Sequence, residues 1–325
     1  MGMLYRFEFR PYQRKFANPL ITSHGIWDIR EGIILRLQDD MGRFGWGEIA
    51  PISWFGSETL EQALNFCQQV PREISTEEIY SIPDTLPACQ FGFESALEGR
   101  SEEEKESLSF CGLLASGEAA FTAWELLWNQ GYRTFKWKIG VNAIVDELTI
   151  FHKLRQNLPV SAKLRLDANG GLSEEQAKLW LENCDANHIN EHPGSSATIE
   201  FIEQPLGVDR LQLMLKLSRH YQTAIALDES VATLKQLRDC YKKGWRGIFV
   251  IKPGIAGFTS TLRQFCQKNP IDVVFSSVIE TAIGRQAALQ LARELTIKSR
   301  AVGFGISHWF IEDENTWLKQ LWQNF

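Results

Sequence analysis

The sequence predicts an α/β protein: a TIM-like (β/α)7β barrel with an N-terminal α+β capping domain. Three observations carry this. The first fifty residues read as consecutive strands, strand and helix patterns alternate strictly from Leu108 onward, and the chain has 325 residues. That length suits one barrel of roughly 250 residues plus a smaller unit. The expected divisions are a cap over 1–105, a barrel over 106–305 and a tail over 306–325 that packs back on the cap.

The cap opens with "MLYRFEFR", "DIREGIILRLQ" and "RFGWGEIA", three alternating segments, the last two joined by the turn "DDMG". Helical patterns follow in "SETLEQALNFCQQV" and in "LPACQFGFESALEG", where Pro87 suits a helix start. The charged run "RSEEEKES" reads as a solvated boundary. Beyond it, strand ends are expected near Cys111, Lys138, Asp167, Glu203, Asp228, Lys252, Ser277 and Gly303, with amphipathic segments between them. Eight such units favour a barrel over an open doubly wound sheet, and no GxGxxG or GxxxxGK[ST] phosphate loop occurs. The tryptophan-rich tail "ISHWFIEDENTWLKQLWQNF" is too apolar to be free.

Composition excludes several classes of function. Hydrophobic residues make up 44% and charged residues 23%, as in an ordinary globular protein. The formal net charge of -6, without a basic stripe, argues against nucleic acid or an anionic membrane as partner. Six scattered cysteines without a CxxC, together with an N-terminus lacking a long apolar stretch, lead to the expectation of a cytoplasmic protein. The sequence leaves the oligomeric state open.

Chemistry in a barrel collects at the C-terminal ends of the strands. "KLRLDANG" places Arg165 and Asp167 on one face, "EFIEQP" ends in Glu203, "AIALDES" in Asp228 and Glu229, and "IFVIKP" in Lys252. Buried charges on adjacent strands must compensate one another. Asp167, Glu203 and Asp228 fall on three consecutive strands, ~4.8 Å apart, which invites one hard divalent cation such as Mg2+. Histidine and cysteine are absent from these ends, which argues against zinc. On the preceding strand, "TFKWKIG" puts Lys136 and Lys138 on one face and Phe135, Trp137 and Ile139 on the other. Two ammonium groups brought together away from water shift toward the neutral amine, from a reference value of about 10.4, and a neutral lysine is a usable general base.

The order K-x-K, Asp, Glu, Asp, Lys along successive strands, behind an α+β cap, resembles the enolase superfamily in its muconate-lactonizing subgroup. Within it, "LRLDANG", "FIEQPL", "ALDES", "VIKPG" and "SSVIETAIG" are similar to the strand ends of the o-succinylbenzoate synthase family. The pairing of a lysine base with Mg2+ is a general property of that superfamily and no derivation from these residues. The resemblance implies Mg2+-dependent dehydration of 2-succinyl-6-hydroxy-2,4-cyclohexadiene-1-carboxylate to o-succinylbenzoate, through a metal-stabilised enediolate, on the way to menaquinone or phylloquinone. It implies Asp167, Glu203 and Asp228 as metal ligands, Lys138 as base, Lys252 as the facing cation and Lys136 as the group that tunes Lys138 and orients the carboxylate. The expected partner is a small carboxylate substrate.

Other residues carry more than one reading. Arg165 either neutralises carboxylates inside the barrel or touches substrate; Ser276 and Ser277 either pack or bind a carboxylate. Glu229 reads as a neighbour of the metal ligands, His188 and His192 as surface residues, and "FANPLITSHGIW", with His24 and a hinge at Gly25, as a lid loop. Rival activities are racemisation of an N-acylamino acid, epimerisation of a dipeptide, or metal and carboxylate binding without turnover. The segment "GFGISHW" stands where dipeptide epimerases are expected to carry D-x-D.

Overall fold

The computed structural model describes residues 3–22, 25–99, 108–190, 196–305 and 309–323. The expected boundary run over 100–107, His24 and His192 lie outside the described residues, as does the side chain of His188.

An antiparallel sheet of four strands forms the N-terminal unit: β1 (Leu4–Thr22), β2 (Gly25–Gln38), β3 (Phe44–Ile49) and β4 (Glu73–Ser75), in the order β3-β2-β1-β4. Helices α1 (Leu60–Gln69), α2 (Thr76–Tyr80) and α3 (Pro87–Glu98) complete it. α1 and α2 each open on a reciprocal capping box, Thr59 with Gln62 and Ser75 with Glu78. Glycine lets α3 approach β3: a Cβ at Gly45 or Gly47 would stand 1.8 or 1.9 Å from a main-chain oxygen of the helix.

The sequence expectation for this sheet needs one correction. β1 runs on past Arg10 for twelve more residues, and β1 and β2 pair as one long hairpin from Arg6↔Gln38 out to Thr22↔Gly25, with an irregularity between Lys15 and Leu20. The segment read as a lid loop is therefore the far end of a two-stranded ribbon. On its outer edge β1 meets β4 over Leu4–Arg6 and Phe16 bridges to Phe310, so among the described residues no strand pairs with that edge at Pro11 or Pro19, where the N–H is missing.

The second sheet is parallel, with seven strands: β5 (Cys111–Leu114), β6 (Thr134–Lys138), β7 (Lys163–Asp167), β8 (Thr198–Glu203), β9 (Ile225–Leu227), β10 (Ile248–Ile251) and β11 (Asp272–Phe275). Val302 bridges to Phe110 and Gly303 to Ser276, so the short segment at 301–303 touches both edges of the curled sheet. The helices between strands are α4 (Ala120–Asn129), α5 (Ile144–Asn157), α6 (Glu174–Asn190), α7 (Leu211–His220), α8 (Leu234–Lys242), α9 (Pro253–Ala256), α10 (Thr259–Lys268) and α11 (Ala282–Leu295). The interval between the strand ends at Lys252 and Ser277 holds two helices, α9 and α10. Cys111 begins its strand rather than ending it.

Packing explains why β6 shows its lysines inward. Phe135, Trp137 and Ile139 are at most 1% exposed and join the layer between sheet and helices, where Trp137 meets Trp180 edge-on and Phe151 does the same. The opposite face, with Lys136 and Lys138, is left for the sheet's concave interior, whose lower layers hold Phe201, Ala226, Ile248, Val250 and Val274. A second core joins cap residues such as Phe7, Ile33 and Phe93 to Ala232, Ile255, Phe258 and Val278 from the loops of the parallel unit. The last helix, α12 (Glu314–Gln323), lies against β1: Trp317 meets Tyr12, Trp322 meets Trp46, and Arg14 stacks on Phe310 and Trp317.

Candidate active site

Register brings the charged strand ends together. Lys138 is paired with Asp167 and Asp167 with Glu203 across β6, β7 and β8, while Glu203 is paired with Ala226, two residues before Asp228. The Lys136 ammonium lies 2.6 Å from Asp167 Oδ2 and 3.0 Å from Glu203 Oε1. Lys252 makes an ion pair with Asp228, and its ammonium sits 4.0 Å from the centre of the Phe55 ring, which the cap supplies.

These carboxylates are nearly inaccessible: Asp167, Glu203 and Asp228 are 5, 2 and 3% exposed. Burial and the neighbouring Asp167 push Glu203 up to about 8 against the pull of Lys136. Burial likewise raises Asp228 to about 6, although Lys252 opposes it. Burial acts the same way on Asp167, but there Lys136 and the Asn169 N–H win and hold it below the usual carboxylate range. Lys136 is held in its charged form. Burial disfavours its charge, and Asp167, Glu203 and Asp228 outweigh that and keep it protonated.

Lys138 makes no hydrogen bond or ion pair among the described residues and is half-buried at the end of β6. Among the described residues no group of three or more acidic, histidine or cysteine side chains stands ready-made as a metal cage. The ammonium groups of Lys136 and Lys252 are seated on the three carboxylates instead. As a donor set, three hard oxygen ligands outnumber these two paired lysines and suit a hard divalent cation.

Arg165 lines the cavity yet turns its Nε to Glu200, 2.7 Å away, and stacks over Phe201. Glu200 in turn accepts from Arg300, which holds Asp272 with two further bonds. Neutralisation of a buried carboxylate is thus one role the geometry gives Arg165, and its Nη2 remains without a partner among the described residues. Ser276 and Ser277 also line the cavity. The Ser277 hydroxyl is committed to Glu280 at 3.0 Å and accepts the Ile279 N–H at 2.8 Å, while that of Ser276 has only a 3.5 Å contact with Gly303 O.

Sequence reasoning missed a set of residues that shape this rim. Among the described residues, the three non-glycine residues with positive φ, Asn169 at 44°, Gln204 at 38° and Ile279 at 61°, all follow strand ends at the site, where backbone strain commonly marks function. Gln204 is fully buried; its amide donates to Leu206 O and Ser230 Oγ, and its carbonyl accepts the N–H groups of Asp228 and Ser230. It therefore fixes the third carboxylate. Asn169 reaches Glu229 at 3.2 Å. The available signal was "EQP" and "DAN", polar residues just past charged strand ends.

The cavity over these groups holds about 270 Å³. Its floor is charged; its aromatic and much of its apolar wall is Leu20, Trp27, Ile52, Trp54 and Phe55 from the cap and Trp309 from the C-terminal segment, with aliphatic residues such as Val250 and Val278 from the parallel unit. A larger hollow of about 450 Å³ opens at the N-terminal ends of β5, β6 and β7. None of the converging carboxylates lies there, so size alone does not mark the site.

With this geometry in view, relatives decide the family. The Enolase C-terminal domain-like family model matches residues 119–316, and the MenC, N-terminal domain model matches residues 4–99. The o-succinylbenzoate synthase of Thermosynechococcus vestitus is 40% identical over 308 residues, spanning 94% of this chain and 93% of its own. The chain belongs to the o-succinylbenzoate synthase family. Another family member, from Klebsiella pneumoniae, is 29% identical over 82% of this chain and 80% of its own. The crystal structure of an o-succinylbenzoate synthase from Thermosynechococcus elongatus, complexed with Mg in the active site, superposes with a TM-score of 0.88 at 39% identity, covering 98% of this chain and 100% of that one. The L-Ala-D/L-Glu epimerase of Bacillus subtilis, at 21% identity and a TM-score of 0.79 over 97% and 92%, shares the fold with the o-succinylbenzoate synthase family.

Proposed function

We propose that this chain dehydrates 2-succinyl-6-hydroxy-2,4-cyclohexadiene-1-carboxylate to o-succinylbenzoate, a lyase step toward menaquinone or phylloquinone, with Mg2+ as cofactor. The observation that carries the choice is the division of the cavity. Carboxylates and lysines form its floor, and apolar and aromatic side chains form its wall, with no acid on the wall among the described residues. A carboxylate on a carbocycle suits both halves. The α-ammonium of a dipeptide finds no counter-charge on the wall.

Proton removal from the carbon bearing the carboxylate places a second negative charge on that carboxylate. Mg2+, when bound, supplies Lewis-acid stabilisation of this charge, and Asp167, Glu203 and Asp228 are the residues that would hold it. Lys138 takes the proton as base and returns it to the departing hydroxyl on the same face, so that one water leaves and the ring becomes aromatic. Lys252, braced on Asp228 and Phe55, adds positive charge from the facing side. Lys136 keeps its proton and sets a fixed cation beside the base. Arg165, Ser276 and Ser277 line the space that the rest of the substrate occupies. For the fold, we take the bridged segment at 301–303 as the eighth strand, which closes a (β/α)7β barrel over 106–305 between the cap at 1–105 and the tail at 306–325.

The test is turnover. Purified protein with Mg2+ and the cyclohexadiene carboxylate, followed spectroscopically as diene becomes arene, is expected to convert it rapidly, and a chelator to stop conversion. No conversion with Mg2+ demonstrably bound refutes the assignment. Exchange of the α-proton of an N-succinylamino acid with solvent deuterium would then favour the racemase reading.

A further inference from the structure

Along the outer part of β2 the usual burial is inverted. Ile26 is 75% and Ile29 40% exposed, while Arg30, the charged residue next to them, is 2% exposed. Among the described residues its guanidinium meets no carboxylate by hydrogen bond. All four of its bonds go to main-chain oxygens: Glu31 at 2.7 Å, Pro51 at 3.0 Å, Ala50 at 2.5 Å and Ile279 at 3.2 Å. Burying a cation on carbonyl dipoles alone is costly, and a rigid fork of donors is what a lysine or a neutral side chain lacks.

What the fork joins is informative. Ala50 and Pro51 lead into the cap segment that puts Ile52, Trp54 and Phe55 on the cavity wall. Trp27, from the same strand as Arg30, lies against Trp54 and within 5.4 Å of the guanidinium. Ile279 belongs to the turn Ser276–Ile279, every residue of which lines the cavity. This turn is strained: a β-branched residue at φ 61° lies in the left-handed region that L-residues with branched side chains avoid. Its geometry is held internally by Ser277 Oγ and by Glu280, which accepts the Val278 N–H at 2.7 Å. Across the cap boundary, the hydrogen bond that holds the Ile279 carbonyl is the one from Arg30.

We propose that Arg30 is a positioning residue for the dehydration. It clamps the aromatic wall of the cap to the Ser276–Ile279 turn and so fixes the position of the substrate's ring relative to the charged floor. It touches neither the carboxylates nor the lysines; it acts through the turn and the wall. This inference rests on the reaction proposed above, and its test has a readout independent of turnover.

Arg30→Met keeps most of the stem and removes the fork, and Arg30→Lys keeps the charge on a single nitrogen without the planar fork that spans the four carbonyls. In Arg30→Met, kcat/KM is expected to fall on the order of 10²-fold, mostly through kcat, as misplacement of a bound substrate by about an ångström does. Arg30→Lys should recover part of that loss. Half-saturation by Mg2+ should move less than about threefold, because the clamp holds no ligand. Hydrogen exchange should quicken at the Val278 and Ile279 amides while amides of β10 stay protected, and this is read whether or not the wild type turns over the diene. Turnover within about threefold of wild type, or unchanged exchange at 278–279, overturns the inference. So does loss of activity that merely follows loss of folded protein, with exchange rising throughout the barrel. Should Arg30→Met not fold, Arg30→Lys is held to the same two readouts.

Discussion

Glu48 is a carboxylate from β3 buried to 1% against the start of α11, and its removal gives the sharpest stability prediction. It accepts four donors: the Tyr12 hydroxyl at 2.6 Å, the Thr281 N–H at 2.9 Å, the Thr281 hydroxyl at 2.5 Å and the Gly284 N–H at 2.9 Å. Two of these are main-chain N–H groups at a helix N-terminus, where a negative charge is favoured and no intrahelical partner exists. Glu48→Ala orphans all four. Each buried orphan costs roughly 1–3 kcal/mol, eased where water enters the space left by the side chain, so the net loss is about 4 kcal/mol. A chain of this length gains about 0.7 kcal/mol/K in unfolding entropy near its midpoint, so the thermal midpoint should drop by about 6 °C. Glu48→Gln keeps one acceptor oxygen and should lose about half as much. Differential scanning calorimetry of the three proteins at one pH checks this. A drop below about 2 °C in Glu48→Ala would show that the cap and α11 do not depend on this contact, and that water replaces it without penalty.

Three more predictions concern the site. Lys138→Ala should lose on the order of 10²- to 10⁴-fold in kcat, the usual worth of a general base, while Mg2+ binding measured by calorimetry stays near the wild-type value; near-normal kcat would assign the base elsewhere. Asp228→Asn should weaken Mg2+ by at least ~10-fold, since even an outer partner's removal costs that much; metal titration decides it. The pair Arg165 and Glu200 should give acid sensitivity. Burial opposes its ionisation, but Arg165 and Arg300 hold the Glu200 carboxyl below its ordinary value. A lowered folded value stabilises above the unfolded value of about 4.3 and is lost as pH falls through the folded value. The midpoint gap between wild type and Glu200→Gln should be constant from about pH 6 to 8 and shrink below about pH 4; a gap unchanged at low pH refutes it.

How much of this was legible in the sequence follows from the range of the interactions. Each charge of the floor ends an apolar run on its own strand, so Asp167, Glu203, Asp228 and Lys252 could be placed from local pattern and the strand period. Trp137 and its neighbours betrayed which way Lys136 and Lys138 point for the same reason. Contacts between distant segments left no such trace. The β1–β2 ribbon depends on pairing between residues as far apart as Arg6 and Gln38, which no local pattern shows. The charge state of Lys136 depends on Asp167 of the adjacent strand and on Glu203 and Asp228 beyond it, residues far from "KWK" in the sequence. Ile279 reads as an ordinary apolar residue, and its left-handed backbone arises from Arg30, Ser277 and Glu280 acting together.

These long-range contacts divide the work of the site between two units with different physical characters. The parallel sheet supplies charge, which it can bury because strands hold the ion pairs in register. Its own apolar contribution to the cavity is aliphatic, from Leu113, Val250, Val274, Val278 and Ile279, and among the described residues it places no aromatic ring there. The cap supplies that surface as Trp27, Trp54 and Phe55, and it is bound to the sheet's loops by Arg30, Glu48 and a shared core. An ammonium resting on an aromatic face needs both: Lys252 belongs to the parallel unit, Phe55 to the cap, and at 4.0 Å the ring takes the place of water on one side of the cation. A site assembled this way gains electrostatic strength from an apolar neighbour, because every ring that excludes solvent lowers the screening of the charges beneath it. On the reaction proposed above, the aromatic wall is therefore part of the electrostatics of proton abstraction as well as the shape that admits a carbocycle.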